Sequence, residues 1–304
     1  MIGKLATCAR IPSYILNLGQ RETFDKGANA LGTRCHDLVE AYLKTGALPD
    51  LEETIDVVRG EKTETAYPGA IAREALSTLP APTTEGLEIE IPAEAHAEGI
   101  TFFSRADFRH RTATGTRIGD HKFVRDLGSA KSATPGATNS YDEPCFLGDD
   151  PQALIVAACE LEARPELSSV EATWHYTQTR ATRGRYPSRV VALRLTREDV
   201  RAGLERACIP AARRILEIKR LRVLPNVLPP KAESCRVFGR ACDYTERCSL
   251  TDEERMIQTM TTNDPAAQTA KLDAALANVR AIVAQTATSA GAPPPPPPPP
   301  PGPR

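Results

Sequence analysis

The segment from Ile100 to Phe123, ITFFSRADFRHRTATGTRIGDHKF, constrains the fold of this chain more than any other. Its two halves, Thr101–Arg111 and Thr116–Phe123, carry aromatic and β-branched residues typical of strands, and a Thr/Gly turn at 112–115 separates them. Strands joined by so short a turn form a β-hairpin. A hairpin fixes which side chains can meet across the pair, so it also defines the first candidate site.

Three charged residues of this hairpin form that candidate site. Asp107 lies on the first strand, and Asp120 and Lys122 lie two positions apart on the second. The period of two in a strand places Asp120 and Lys122 on one face. Two carboxylates suit a hard cation such as Mg²⁺, and the ammonium can orient a water molecule. An Asp-x-Lys pair taken alone is more often a solvated ion pair, so its surroundings decide the interpretation.

Composition sets the outer limits. The chain has 304 residues, 41% of them hydrophobic and 25% charged, which is enough for one large domain or two smaller ones. The net charge of −1 means that any nucleic-acid surface must be a local patch. We find no apolar run long enough to cross a bilayer and no secretory signal pattern. The expectation is a soluble cytoplasmic protein, of a bacterium or a phage-infected cell, without a membrane partner.

The N-terminal part is predicted to be mainly helical. Gly32–Leu43 has helical periodicity and carries His36, which is either a satisfied polar residue or a metal ligand. Residues 48–60 predict a loop and a short helix, and Ala66–Thr78 predicts a further helix.

The strand at Gly86–Ala93 has one apolar face, and with the hairpin it makes a three-stranded meander. Glu88 or Glu90 could approach the metal site from this strand, although at least one of them is expected to be solvated. A long polar loop at 125–149 then leads to a helix, in which Asp150 is the N-cap and Gln152 lies in the first turn.

Two outer strands follow, at Val170–Thr179 and Ser188–Thr196, before an amphipathic helix at Arg197–Arg222. The turn between the strands is the most basic patch of the sequence, with four arginines at positions 180, 183, 185 and 189. Such a turn can follow a phosphate backbone, or it can serve solubility alone.

Three cysteines near the C-terminus, Cys235, Cys242 and Cys248, are close enough in sequence to ligate a metal. A tetrahedral site needs a fourth ligand, for which Cys8 is the best candidate. Four thiolates fit either zinc or an iron–sulfur cluster. Beyond them, a helix from Asp264 to Gln285 and a run of prolines at 293–301 could each contact a protein partner.

The order of these parts resembles the PD-(D/E)xK nuclease superfamily, and it is most similar to the RecB-like branch. That branch includes phage-type exonucleases and the iron–sulfur CRISPR-adaptation nucleases. The resemblance covers about residues 5–250, and its parts are a Gly-x-x-x-His helix (Gly32, His36), Asp107, Asp120-x-Lys122, Gln152 and the cysteine cluster. It implies an α/β, restriction-endonuclease-like fold: a mixed central sheet flanked by helices, with a C-terminal cysteine cluster. The domain limits would be 1–253 for the nuclease domain, 254–286 for a helical extension and 287–304 for a disordered tail.

The resemblance also implies roles for individual residues. His36, Asp107 and Asp120 would bind Mg²⁺ or Mn²⁺, with the main-chain carbonyl of His121 as a further ligand. Lys122 would position the attacking water.

Gln152 would contact DNA or the lysine. The four cysteines (Cys8, Cys235, Cys242 and Cys248) would hold a [4Fe–4S] cluster, with zinc as the alternative. Val156 stands where the branch usually has a tyrosine, and the spacing between Cys235 and Cys242 is wider than in many members.

The expected function is metal-dependent hydrolysis of DNA, as an exonuclease acting on duplex or single-stranded ends in DNA processing, recombination or repair. The alternative is an inactive nucleic-acid-binding or assembly protein with the same fold. A zinc-binding structural protein would account for the cysteines but would leave the acids of the hairpin without a role.

Overall fold

The chain is described by a computed structural model, which covers residues 10–19, 28–59, 62–125, 127, 147–229, 236–237, 240–241, 248 and 265–289. Its internal contacts define two compact units. The sheet unit contains Thr23–Ala212, and the terminal unit contains Gly3–Glu22 and Arg213–Arg304.

The strands, in chain order, are β1 (Ile55–Arg59), β2 (Lys62–Ala66), β3 (Leu87–Ala97), β4 (Ile100–Arg111), β5 (Thr116–Val124), β6 (Ser169–Gln178), β7 (Ser188–Thr196), β8 (Arg236–Val237) and β9 (Arg240–Ala241). Five of them form one sheet in the order β3-β4-β5-β6-β7. The β5–β6 pair is parallel and the other neighbours are antiparallel. These observations confirm the predicted meander and the α/β class with a mixed sheet.

The helices are α1 (Arg10–Leu18), α2 (Ala28–Thr45), α3 (Pro68–Leu76), α4 (Pro151–Ala163), α5 (Arg197–Gly203), α6 (Ile209–Arg220) and α7 (Pro265–Ser289). In the sheet unit, α4 packs across β3, β4, β5 and β6, while α2 and α3 contact β3, β5 and β6. Ile118 and Trp174 lie in the core cluster with α4, whereas Phe123 packs with Val39 of α2 and Ala72 of α3. The sheet is therefore flanked by helices on both faces.

The β3–β4 ladder is interrupted where Glu90 lies opposite Asp107. Glu90 has a positive φ of 55°, a conformation that a non-glycine residue adopts at a cost. On one side of this point Ile89 packs with the α2 and α3 cluster, and on the other side Ala93 packs with the α4 cluster. Strict alternation would keep these two residues on one face, so the strand changes sides at Glu90.

Two local predictions differ from the structure. The short helix expected within 48–60 is wrong: Ile55–Arg59 forms β1, because Ile55 and Val57 are β-branched and Val57 is 1% exposed in a small core with α2. The long helix expected from Arg197 contains a π-helical turn, Leu204–Cys208. Pro210 lies two residues beyond that turn and has no N–H to donate, so it favours this local rearrangement of the helical hydrogen bonds.

The terminal unit has its own apolar cluster, formed by Ile218, Val223 and Leu228 with Leu272 and Leu276 of α7. Two ion pairs join the helices α6 and α7. Arg214 contacts Asp273 at 2.7 and 2.8 Å, and Arg280 contacts Glu217.

No helix in the described parts of the chain is both long and apolar enough to cross a membrane. The predicted domain limits at 253 and 286 stay a prediction, because residue 253 and the proline-rich tail from 290 onward lie outside the described residues.

Candidate active site

The candidate site lies at a fork between two neighbouring strands. The β4–β5 ladder runs from the Arg111–Thr116 pair to the Phe108–Gly119 pair and stops there. Asp107 and Asp120 occupy the next position of the same register, so they face each other where the strands diverge. In place of a ladder bond, the backbone N–H of His121 donates to Asp107 Oδ2 at 2.6 Å. The predicted hairpin therefore brings the two acids to one place.

Asp107 lies between two imidazole rings. Its Oδ2 is 3.2 Å from His121 Nδ1 and 3.6 Å from His36 Nδ1, and His36 is carried by α2. One ligand atom from each of these three residues lies within 4.8 Å of the other two. Among the described residues, this is the set that could hold a cation. His36 and Asp107, both predicted metal ligands, thus lie together. Asp120, the third predicted side-chain ligand, does not belong to this group of three.

Asp120 is engaged on its other side. Lys122 Nζ contacts Asp120 Oδ2, and Gln152 donates from Nε2 to Asp120 Oδ1. Lys122 also donates to Gln152 Oε1 at 3.0 Å. The three predicted residues Asp120, Lys122 and Gln152 form one closed polar network.

The local sequence explains how Gln152 reaches this network. Asp150 caps α4 by accepting from the N–H groups of Gln152 and Ala153, at 2.8 and 3.1 Å. Pro151 suits the first helical position. Gln152 is held further by a 2.8 Å hydrogen bond from its Nε2 to the carbonyl of Arg105 on β4. The start of α4 is therefore attached to both sides of the fork.

The two acids have different electrostatic environments. Burial raises the pKa of Asp120 to about 6, the Lys122 ammonium opposes this, and the charge of Asp107 adds to it. Burial alone would raise the pKa of Asp107 too, but the hydrogen bond and charge of His121, with the charge of His36, hold it below its usual value. Burial lowers the pKa of His36, so this imidazole is neutral at neutral pH. Asp107 is the firmly ionised acid of the pair, and Asp120 ionises near pH 6.

An aromatic wall closes the α2 side of the fork. The Phe108 ring lies 5.6 Å from the ring of His121 and 5.5 Å from that of His175. A Cβ atom at Gly119 would overlap the Phe108 ring. Burial lowers the pKa of His175 to about 3, so it is a neutral part of this wall. Only glycine at 119 allows Phe108 to pack against β5 beside the acids.

Two further side chains lie at the site. The first is the imidazole of His121, for which the family resemblance implied only the main-chain carbonyl as a ligand. The ring is 2% exposed, and its Nε2 has no hydrogen-bond partner among the described residues. The second is Glu90, which contacts Arg105 Nε at 2.8 Å. Burial and the charge of Asp107 raise the pKa of Glu90, although Arg105 opposes this.

Glu88 forms an ion pair with an arginine of β4, and Val156 lies in the core. Glu88 accepts hydrogen bonds from Arg109 at 2.6 and 3.1 Å, at the base of α4. Val156 is buried in the core cluster, which accounts for an apolar residue at this position.

Most of the predicted cysteine site lies outside the residues that the structure describes. Cys8, Cys235 and Cys242 lie outside the described residues. Cys248 is described, carries no disulfide, and accepts a 3.0 Å hydrogen bond from Nη1 of the buried Arg10 in the terminal unit.

Comparison with known proteins gives little to add. No protein-family model matches the chain, and no curated protein matches it. A solved structure described as "Crystal structure of SSO0001" is similar at 15% identity and a TM-score of 0.27. The match covers 54% of this chain and spans 62% of that chain. At this TM-score the likeness carries no argument about fold or function.

Proposed function

We propose that this protein is a divalent-metal-dependent DNA nuclease with a restriction-endonuclease-like fold, of the RecB-like branch of the PD-(D/E)xK superfamily, acting on DNA ends. One observation carries the proposal: Asp107 and Asp120 face each other at the strand fork, with Lys122 and Gln152 hydrogen-bonded beside them. An ordinary solvated strand face does not need a 3% exposed aspartate held by both a lysine and a glutamine.

The donor atoms fit a divalent cation. Ligands of one Mg²⁺ ion at about 2.1 Å each lie at most about 4.2 Å apart, close to the 4.8 Å grouping of His36, Asp107 and His121. The lowered pKa values of Asp107 and His36 keep both in the metal-binding state at neutral pH. Carboxylate oxygens suit Mg²⁺ and Mn²⁺, while imidazole nitrogens favour transition ions, so Mn²⁺ satisfies the mixed set best.

A bound cation would neutralise charge on the scissile phosphate and lower the pKa of a bound water. The protein's own residues supply the rest. The Lys122 side chain is 37% exposed, so its ammonium can turn from Asp120 towards a water or a developing negative oxygen. Gln152 forms hydrogen bonds to both Lys122 and Asp120, which fixes where the lysine acts.

The cysteine cluster belongs to the same proposal. We place a [4Fe–4S] cluster, with zinc as the alternative, on Cys248 together with Cys8, Cys235 and Cys242. The hydrogen bond from Arg10 Nη1 to Cys248 Sγ supports this placement, because a guanidinium beside the sulfur would offset the negative charge of a bound cluster. No catalytic step depends on this cluster.

The test is degradation of linear and circular DNA, and of RNA, by purified protein with Mg²⁺, Mn²⁺ or EDTA. We expect loss of linear DNA with Mn²⁺ or Mg²⁺ and none with EDTA. In the same assay, Lys122→Ala should lose most cleavage. Lys44→Ala is the matched control and should keep it, since Lys44 is an exposed lysine paired with Glu40 at the end of α2. Binding of DNA without cleavage under any metal would instead identify an inactive nucleic-acid-binding or assembly protein.

A further inference from the structure

The loop between β6 and β7, residues 179–187, is basic; we refer to it as the basic loop. It contains Arg180, Arg183 and Arg185 and no acidic residue. All three arginines are exposed. No acidic side chain in the described parts of the chain forms an ion pair with them. Within the described residues, the loop therefore presents three positive charges to solvent without an acidic partner.

Hydrogen bonds at the base hold this loop in place. Gln178 is buried, and its Nε2 donates to the carbonyl of Arg180 at 2.5 Å and to Thr182 Oγ1 at 2.9 Å. Gln178 Oε1 accepts from the N–H of Leu127, beyond the end of β5. The N–H of Thr179 donates to the carbonyl of Val124 at 2.7 Å. The basic loop is thus attached to the end of the strand that carries Asp120 and Lys122.

The tip of the loop is a tight turn with an unusual residue. Thr182 and Arg185 exchange two backbone hydrogen bonds, at 2.7 and 3.2 Å. Between them, Arg183 and Gly184 both have positive φ, 53° and 76°, as in a type I′ turn. Asparagine and glycine adopt this conformation at lower cost than arginine. The turn therefore holds the exposed Arg183 at the tip of the loop.

Packing holds the other end of the loop. Tyr186 is partly buried against the small core that contains Leu31 and Cys35 of α2. Leu31 precedes His36 by about one and a half helical turns, and Cys35 precedes it directly. The loop is therefore attached to two elements that also carry site residues, β5 and α2.

The strand register gives an upper limit for the distance from the loop to Lys122. Lys122 pairs with Tyr176, and Arg180 lies four residues further along the chain, two of them beyond the end of β6. At about 3.3 Å per extended residue, Arg180 is at most about 13 Å from Lys122 along the strand direction. Phosphates of one B-form strand are spaced by about 3.4 Å along the helix axis, so the loop begins within about four nucleotides of Lys122.

We propose that the basic loop binds the phosphate backbone of the DNA strand whose scissile phosphate lies at the fork. This inference rests on the proposed function, and it adds the surface that holds the substrate and the register at which it does so. The preformed turn means that binding does not first require ordering of the loop. The contact is to phosphate, so it strengthens binding to every sequence equally.

The test is the salt dependence of DNA binding, measured in EDTA so that no cleavage occurs. The triple variant Arg180→Gln, Arg183→Asn, Arg185→Gln removes three charges and relaxes the turn, because asparagine favours positive φ. Each lost phosphate contact lowers the slope of log K against log salt by about 0.7 to 0.9, so the slope should fall by about 2 to 3. Between 50 and 200 mM salt, the wild type should then lose about 20- to 40-fold more affinity than the variant.

The control triple is Arg194→Gln, Arg201→Gln, Arg222→Asn. It removes the same charge from exposed positions outside the loop, and Arg222 matches Arg183 in its positive φ of 50°. We expect its slope to stay near the wild-type value. An unchanged slope in the loop variant, an equal fall in the control, or a wild type that does not bind DNA would each overturn the proposal. If the wild type cleaves DNA but the loop variant keeps the wild-type salt slope, the basic-loop proposal is wrong and the nuclease proposal stands. If the slope falls in the loop variant but the wild type does not cleave DNA, the nuclease proposal is wrong and the basic-loop proposal stands.

Discussion

Replacing Asp120 with asparagine should stabilise the metal-free protein at neutral pH while it abolishes cleavage. The Asp120 side chain is almost fully buried at the fork, where burial raises its pKa to about 6 from the ordinary value of 3.8. Asparagine has nearly the same shape and still offers an oxygen to Gln152 Nε2. It never ionises, and its NH₂ group replaces the oxygen that contacts Lys122, so the lysine must turn to Gln152 or to solvent.

The size of the effect follows from linkage between proton binding and folding. A group whose pKa is higher in the folded protein favours folding at low pH, and this contribution is lost as pH rises through the folded pKa. A difference of about two pH units corresponds to about 3 kcal/mol, at about 1.36 kcal/mol per unit. Asp120→Asn should therefore gain about 3 kcal/mol over the wild type at pH 7.5 and about half of that at pH 5. Loss of the partner of Lys122 subtracts little, because that ammonium is partly solvated.

Urea denaturation in EDTA at pH 5 and pH 7.5 measures both values. Asp56→Asn is the matched control, because Asp56 is exposed on β1, and it should change stability by no more than about 0.5 kcal/mol. A variant at position 120 that is no more stable than the wild type at pH 7.5 would refute the reasoning. A gain of equal size at both pH values would refute it too, since it would not arise from ionisation.

Four further predictions follow from the same contacts. Lys122→Ala should reduce single-turnover cleavage by about 100- to 1000-fold while DNA binding and folding are kept; an active variant would refute the assignment. Gly119→Ala should cost about 1–3 kcal/mol in denaturation, because its Cβ overlaps the Phe108 ring, and Phe108→Leu in the same chain should recover part of the loss. Glu160→Gln should cost about 3–5 kcal/mol, because Glu160 is buried and neutralises two arginines of β4; a smaller change would show that they find other partners. Protein purified without oxygen should be brown, absorb near about 400 nm and contain iron, all lost in Cys248→Ser; colourless protein with stoichiometric zinc would replace the cluster by zinc.

Local patterns were enough to predict the scaffold of the site. The hairpin, the meander and the start of α4 each follow from short-range signals: alternation of apolar residues, a tight turn, and an aspartate before a proline. The hairpin alone places Asp107, Asp120 and Lys122 near one another, as the structure shows, whereas Gln152 is assigned to the site only by the family resemblance. The β1 strand was missed because a polar segment with a proline hides two buried β-branched residues.

The detail of the site depends on features without a local signal. Alternation of side chains along β5 predicts that the ring of His121 points away from Asp107. This prediction holds only where β4 and β5 remain paired. The ladder ends before these residues, so the Asp107 carboxylate reaches the His121 N–H and its ring. The positive φ of Glu90 on the neighbouring strand likewise has no cue in GLEIEIPA. Where a sheet stops pairing is decided by tertiary packing, which a single sequence does not display.

The fork explains why two neighbouring acids can differ in charge state. A paired strand would hold both carboxylates at its surface, each beside water. At the fork, Asp107 receives a backbone N–H and two imidazoles, while Asp120 lies against α4 with one ammonium and one amide. Between the lowered pKa of the first acid and about pH 6 for the second, the site carries one negative charge from the pair; above pH 6 it carries two. An ionised carboxylate that is buried costs folding energy unless its surroundings compensate for the lost water. The instability that asparagine would relieve therefore comes first from burial of the Asp120 carboxylate, and the charge of Asp107 adds to it.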